Sequence, residues 1–296
     1  MKPLLSIVIA NYNFGKFLEA AIRSVLDQNE PEVELIIVDG GSTDNSVEII
    51  KKYAGRLPPG EVKVRGEGEQ RNLPISYWVS EPDKGQSDAF NKGYAHARGK
   101  YLTWLNADDV MPFGCLKKVL NEMRRHPECE WFTGNFLRFN EKDGRICQVN
   151  WGPHYFPYCL QRRNTPVMVY GPSTFFSKKI YEEVGRIGVE FKYCMDTDLW
   201  IKFIVRGVKQ RRVNCFCWAF RMHEDSKTAD YEGRPESKSI GVQLRAEHEL
   251  SCRREGYVPS LMIHRFMALW RLLDGSLVRL FWMRRFVVGA VYGGLR

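Results

Sequence analysis

The sequence predicts an α/β fold with a mostly parallel central sheet flanked by helices, followed by a helical, basic C-terminal extension. Three observations carry that expectation. Apolar runs rich in β-branched residues alternate with amphipathic helical segments through the first hundred residues, the pattern of right-handed βαβ units. One such run, Tyr101–Leu105, ends abruptly in Asn106, Ala107, Asp108 and Asp109. In α/β sheets, strand ends open into the crevice where ligands sit. From Arg253 onward the composition shifts toward arginine interleaved with aromatic side chains.

The elements follow in order. Leu4–Ala10 reads as a buried strand, Asn11–Gly15 as a loop and Lys16–Gln28 as a helix. Val33–Val38 is the next strand; it ends at Asp39, Gly40 and Gly41, ahead of a helix from about Asp44 to Tyr53. Those glycines do not form G-x-G-x-x-G, so a dinucleotide fingerprint is absent, and Asp39 read alone fits a plain turn. Leu57–Gly60 and Arg65–Gln70 are loop-like. A strand at Ile75–Ser80 and a helix at Gln86–Arg98 lead into Tyr101–Leu105. Downstream come a strand at Gly171–Phe176, a helix at Lys178–Val184, and a helix whose stripe is Leu199, Trp200, Phe203 and Ile204. Asp198 is expected to cap that last helix. A strand at Gln210–Phe220 ends at Arg221, Met222 and His223.

Two adjacent carboxylates at a strand end are costly unless something relieves their repulsion. A divalent cation shared with substrate phosphates is the common relief. A helix cap before Pro112 is the alternative, and these residues read alone leave both open.

Four segments occur in order: Ala10–Asn13, Val38–Asp44, Asp83–Gly93 and Leu105–Asp109. Together they resemble the family 2 glycosyltransferases, strongly over residues 1–110 and more weakly to residue 226. The resemblance implies the GT-A nucleotide-diphospho-sugar transferase fold, with 1–110 as the nucleotide-sugar half, 111–226 as the acceptor and base half, and 227–296 as the extension. It implies that Ala10, Asn11 and Tyr12 line the nucleotide and that Asp39 hydrogen-bonds its base. Lys84, Gly85, Asp88 and Asn91 would flank the nucleotide and its phosphates. Asn106-Ala107-Asp108 matches the D-x-D motif with Asn106 in the first place, so Asn106 would reach a ribose hydroxyl. Asp108 would hold Mn²⁺ or Mg²⁺, with His223 of an Arg-x-His segment as a second ligand and Asp109 as a further candidate. Asp196 occupies the place of the catalytic base, after Met195 where the family commonly has Glu. The Gly171–Phe176 segment would form the acceptor side of the pocket.

At 296 residues, 44% hydrophobic and 27% charged, the chain can bury a sizeable core. Met1-Lys2-Pro3 running straight into a strand suggests no signal peptide. Eight cysteines without C-x-x-C spacing suggest reduced, mostly buried thiols in a cytoplasmic protein, with Cys215 and Cys217 sharing one strand face. No recognised module supports nucleic acid as a partner of this basic chain. From Arg253 onward there are eight arginines and two acids, interleaved with residues such as Phe266, Trp270, Phe281 and Trp282. No apolar run there reaches the roughly 18–20 residues that span a bilayer. The segment suits either the anionic inner face of a membrane or helices packed on the catalytic domain.

The expected activity is metal-dependent transfer of a sugar, with inversion, from a UDP-type donor to an acceptor hydroxyl. That acceptor would be a growing glycan on a lipid carrier, in surface polysaccharide assembly. The rival classes are a nucleotidyltransferase, which would want a Gly-rich, basic loop where the chain has Asn11–Gly15, and a catalytically silent glycan-binding scaffold.

Overall fold

The computed structural model describes residues 2–55, 59–61, 75–150, 161–165, 167, 171–226, 237–263, 265, 266 and 269. The elements are β1 (Leu5–Asn11), α1 (Gly15–Leu26), β2 (Val33–Asp39), α2 (Ser46–Ala54), β3 (Tyr77–Ser80), α3 (Gln86–His96), β4 (Tyr101–Asn106) and α4 (Cys115–Arg125). Then come β5 (Trp131–Asn140), β6 (Ile146–Asn150), a 3-10 turn at Gly171–Ser173, β7 (Thr174–Ser177), α5 (Lys178–Glu183), α6 (Met195–Val205), β8 (Gln210–Met222) and α7 (Ser237–Glu255). The segment expected as a strand from Gly171 therefore begins as a turn and extends only from Thr174. Leu57 and Arg65–Gln70, and beyond Arg265 the arginines 271, 279, 284 and 285, lie outside the described residues.

The sheet order is β3-β2-β1-β4-β7-β5-β6, with β8 on the other edge of β5. Strands β1 to β4 are parallel, as the alternation of strand and helix requires. β7 runs antiparallel to both β4 and β5, so β5 points the same way as β4. β8 runs parallel to β5. The carboxyl ends of β1, β4 and β8 therefore meet at one edge, bringing Asn11, Asn106 and Met222 toward a common crevice.

Ile7, Val8 and Ile9 are fully buried because helices cover both faces of the sheet, which explains an unbroken apolar run instead of alternation. On one face α1 buries Phe17, Leu18, Ala21, Ile22 and Val25, a helical stripe. On the other, α3 lies so close to β1 that a Cβ at Gly93 would sit 2.4 Å from Val8 Cγ1. Helix α6 is fixed by Trp200, which stacks between Trp104 of β4 (5.7 Å) and Trp131 of β5 (5.6 Å). Such pairs contribute roughly 0.5–1.5 kcal/mol each beyond their burial.

Asp198 does not cap α6. The helix starts at Met195 with Cys194 before it. Asp198 sits within the first turns, fully buried, paired with Lys202 at 2.7 Å and accepting from Ser251 Oγ of α7 at 2.7 Å. Helix α7, within the C-terminal extension, is thus packed on α6. Tyr257, just beyond it, is buried and donates to the Thr165 carbonyl at 2.9 Å. The cysteines of the described residues are free; Cys215 and Cys217 share one face of β8 with their sulfurs 3.3 Å apart.

Candidate active site

A cavity of about 340 Å³ opens at the carboxyl edge of the sheet. Ala10, Asn11 and Tyr12 from the end of β1, and Asn106, Ala107 and Asp108 from the end of β4, form part of its wall. Gly171 and Pro172, the loop residues Lys192 and Tyr193, and Asp196 of α6 supply more. Its size is that of a small-molecule pocket.

The adjacent acids have different environments. Asp109 is fully buried; its Oδ2 accepts from Asn106 Nδ2 (2.8 Å) and Trp218 Nε1 (2.9 Å), and its Oδ1 from the Arg221 backbone N–H (2.9 Å). Burial pushes its pKa well above the usual carboxylate range, and the neighbouring Asp108 charge adds to the effect. Its oxygens are engaged in joining β4 to β8, so the expectation of Asp109 as a metal ligand is corrected: Asp108 is the carboxylate that reaches the cavity. Asp108 Oδ2 stands 3.1 Å from His223 Nε2. His223 packs 4.5 Å from the Phe17 ring, and its Nδ1 is buried without a hydrogen-bond partner among the described residues. Arg221 steadies the turn by donating from Nε to the Asp108 carbonyl (2.8 Å). Its guanidinium lies between the Phe17 and Phe139 rings, and burial pulls its pKa down.

Asp108 and His223 form a pair of hard and borderline donors, and no cluster of three or more His, Cys, Asp or Glu residues suited to a metal occurs among the described residues. Asp108 lines the cavity, while His223 is buried behind it and off the wall. This donor pair fits an ion that completes its shell with substrate phosphates and water, as Mg²⁺ commonly does.

Asp196 sits at the first turn of α6 and lines the cavity. Its Oδ1 accepts from the Thr197 N–H at 2.7 Å and its Oδ2 from the Gly171 N–H at 3.3 Å. Burial raises its pKa above that of an exposed aspartate, while those N–H donors pull it down. The 3-10 turn at Gly171 thus serves to hold this carboxylate.

The other expected binding residues divide. Gly85 lines the cavity with φ of 110°, a conformation that a side chain would strain. Lys84 is exposed and off the wall. Asp88 accepts from the Lys84 N–H at 3.0 Å, closing the start of α3. Asn91 donates to the Ile187 carbonyl at 2.9 Å and accepts from Tyr181, so its amide ties α3 to the segment after α5. Asp39 is fully buried and accepts from Asn11 Nδ2 (2.6 Å), Ser42 Oγ (2.6 Å) and Ser80 Oγ (2.6 Å). The expectation that it meets a base thus falls on a carboxylate already engaged. Asn11, in contrast, borders the cavity with its Oδ1 buried and unpartnered among the described residues.

Asp83 and Gln86 of the Asp83–Gly93 segment also line the cavity, and so do Lys192, Tyr193, Trp218 and Phe220, which the sequence did not single out. Gln86 donates to Asn106 Oδ1 at 2.9 Å. Strand alternation gave no signal for Trp218, because the β5–β8 pairing shifts register beside it and Trp218 joins Cys215 and Cys217 in one buried cluster.

The sequence model described as glycosyl transferase family 2 matches residues 6–185. The chain belongs to this family. This glycosyltransferase is 32% identical over 227 residues to the putative teichuronic acid biosynthesis glycosyltransferase TuaG of Bacillus subtilis (strain 168), covering 76% of this chain and 81% of that one. It is 26% identical to the UDP-Glc:alpha-D-GlcNAc-diphosphoundecaprenol beta-1,3-glucosyltransferase WfaP of Escherichia coli, covering 89% and 96%. Other curated relatives are longer: the chain spans 31% of an uncharacterized glycosyltransferase of Nostoc sp. and 43% of glycosyltransferase GlyG of Streptococcus pneumoniae. Among solved structures, S. aureus TarS in complex with UDP superposes with a TM-score of 0.55 at 16% identity, covering 83% of this chain and 65% of that one. The mannosyltransferase PcManGT of Pyrobaculum calidifontis, in complex with GDP-Man and Mn2+, superposes with a TM-score of 0.54 at 15% identity, covering 100% and 85%. The glycosyltransferase has the GT-A fold, as its motifs implied.

Proposed function

We propose that this glycosyltransferase transfers a single sugar from a UDP-sugar to an acceptor hydroxyl with inversion, and that it builds a surface glycan on a lipid carrier. The observation that carries the reading is that Asp196 and Asp108, distant in sequence, line one cavity. Asp196 accepts the acceptor's proton as its oxygen attacks the anomeric carbon from the face opposite the leaving diphosphate. Its raised pKa suits that role, because a stronger base drives proton transfer better so long as it stays ionised. Asn11 Oδ1, Tyr12 and Asn106 orient the nucleoside, and the bare backbone at Gly85 lets the diphosphate approach the start of α3. Asp108 and His223 would hold Mn²⁺ or Mg²⁺, which would supply charge neutralisation at the leaving diphosphate.

The UDP donor and diphospholipid acceptor rest on the names of the relatives WfaP and TarS–UDP. The tail supports an acceptor at a membrane's cytoplasmic face. Val258, Leu261 and Met262 are 77%, 77% and 79% exposed, and Leu269 is half-exposed. No helix among the described residues is long and apolar enough to cross a membrane. Family membership favours transfer over the nucleotidyltransferase and silent-scaffold readings.

The deciding experiment incubates the purified protein with a nucleotide-sugar panel, with Mn²⁺, Mg²⁺ or chelator, and follows nucleoside diphosphate release. UDP release from one UDP-sugar that stops in chelator is expected. Undiminished release in chelator removes the metal; release of pyrophosphate removes the transferase reading.

A further inference from the structure

We infer that Glu247 of α7 is a positioning residue for the base helix α6 and for the loop beside it. Its Oε2 accepts from the backbone N–H groups of Tyr193 (2.8 Å) and Cys194 (2.9 Å), and its Oε1 from that of Lys192 (3.2 Å). These three donors lead directly into α6. A helix start leaves several N–H groups without partners, and a side chain at the N-cap usually satisfies one of them. Cys194 at that place makes no side-chain cap bond. The carboxylate that meets these groups comes instead from a helix more than fifty residues downstream in sequence. Its negative charge also lies where the positive end of the α6 dipole favours it.

The position of this contact gives it a functional consequence. Lys192 and Tyr193 line the cavity, and Asp196 lies two residues beyond Cys194. One turn further along α7, Ser251 binds the buried Asp198, and one turn earlier the Leu244 carbonyl receives the Cys194 thiol at 3.3 Å. Helix α7 therefore grips the start of α6 at three successive turns, with Glu247 at the centre. Misplacing a reacting group by about 1 Å can cost on the order of a hundredfold in rate. Glu247 touches no cavity surface itself and acts through the backbone of residues 192–194.

This inference rests on Asp196 being the base, and the test separates the two claims. Glu247→Ala, Glu247→Gln and Asp196→Asn are made in the full chain. Turnover is measured with the panel's best nucleotide sugar, UDP affinity by calorimetry, and amide hydrogen exchange across residues 192–198. Glu247→Ala is expected to lower kcat by about tenfold or more with donor KM and UDP affinity within about twofold, and to speed exchange at 192–194. Glu247→Gln, whose amide oxygen still accepts, recovers most of the rate. Wild-type kcat in Glu247→Ala, unchanged exchange at 192–194, or equal losses in the Ala and Gln variants overturns the positioning role. Should Glu247→Ala fail to fold, the Gln variant and its exchange pattern still decide. An inactive Asp196→Asn beside a fully active Glu247→Ala defeats only this inference; an active Asp196→Asn defeats the base reading beneath it.

Discussion

Asn106 Nδ2 donates a 2.8 Å hydrogen bond to the buried carboxylate of Asp109. The Asn that stands where the family motif has Asp is thus matched to its neighbour, since an amide can donate where a carboxylate cannot. Its Oδ1 faces the other way and accepts from Gln86.

Asn106→Asp should therefore destabilise the fold by roughly 1–3 kcal/mol at neutral pH, since it deprives a buried acceptor of its donor and adds a like charge. Burial, with the neighbouring charge of Asp108, already raises the folded pKa of Asp109 above its unfolded value. The stability that it retains is present below the unfolded pKa and lost as pH rises through the folded one. The deficit against wild type should be least in acid, below the unfolded carboxylate pKa, and grow as pH rises from there. Thermal unfolding across pH checks this; a deficit that does not vary with pH would show that charge is not its cause.

Asp196→Asn should lower kcat by a factor of roughly a hundred or more and leave UDP affinity nearly unchanged. In the wild-type enzyme, activity should fall with acid as Asp196 protonates, at a pH above that of an exposed aspartate, because burial raises its pKa. A pH–rate profile flat through the acid range argues against this base.

Asp108→Ala and His223→Ala should each weaken UDP binding in Mn²⁺ and leave the metal-free affinity little changed. Calorimetry with and without chelator measures this. Equal losses in both conditions would mean that these side chains act without an ion.

Asp198→Ala should cost about 3–5 kcal/mol, well beyond a lost helix cap, because it strands the buried Lys202. Adding Lys202→Met should restore much of that loss. Chemical denaturation of the single and double variants decides; a loss near 1 kcal/mol, unaffected by the second change, fits a cap instead.

Truncation before Pro259 keeps α7 and Tyr257, so the shortened protein should fold and bind UDP but lose affinity for anionic vesicles. Each basic residue near such a surface contributes about 1 kcal/mol, and binding should fall with added salt. Truncation at residue 226 removes Ser251 and Glu247 and should destabilise the catalytic body. Full-length protein that ignores vesicles would discard the membrane reading.

The sequence by itself determined the α/β layout, the order of the four motifs and the placing of Asp108 and Asp196 at element ends. Each of these is written in local patterns: apolar runs, helical spacing, and the identity of residues at a turn. Tertiary structure alone decided which of two adjacent acids faces the cavity, because Asp109 is claimed by Trp218 and Arg221, more than a hundred residues away. It likewise decided that Asp39 and Asn91 are engaged by the protein, and that Asp198 is a buried ion pair and no cap. It packed α7 against the start of α6. A carboxylate's role depends on which donors reach it and how far water is excluded, and both are fixed by contacts between residues distant in the chain.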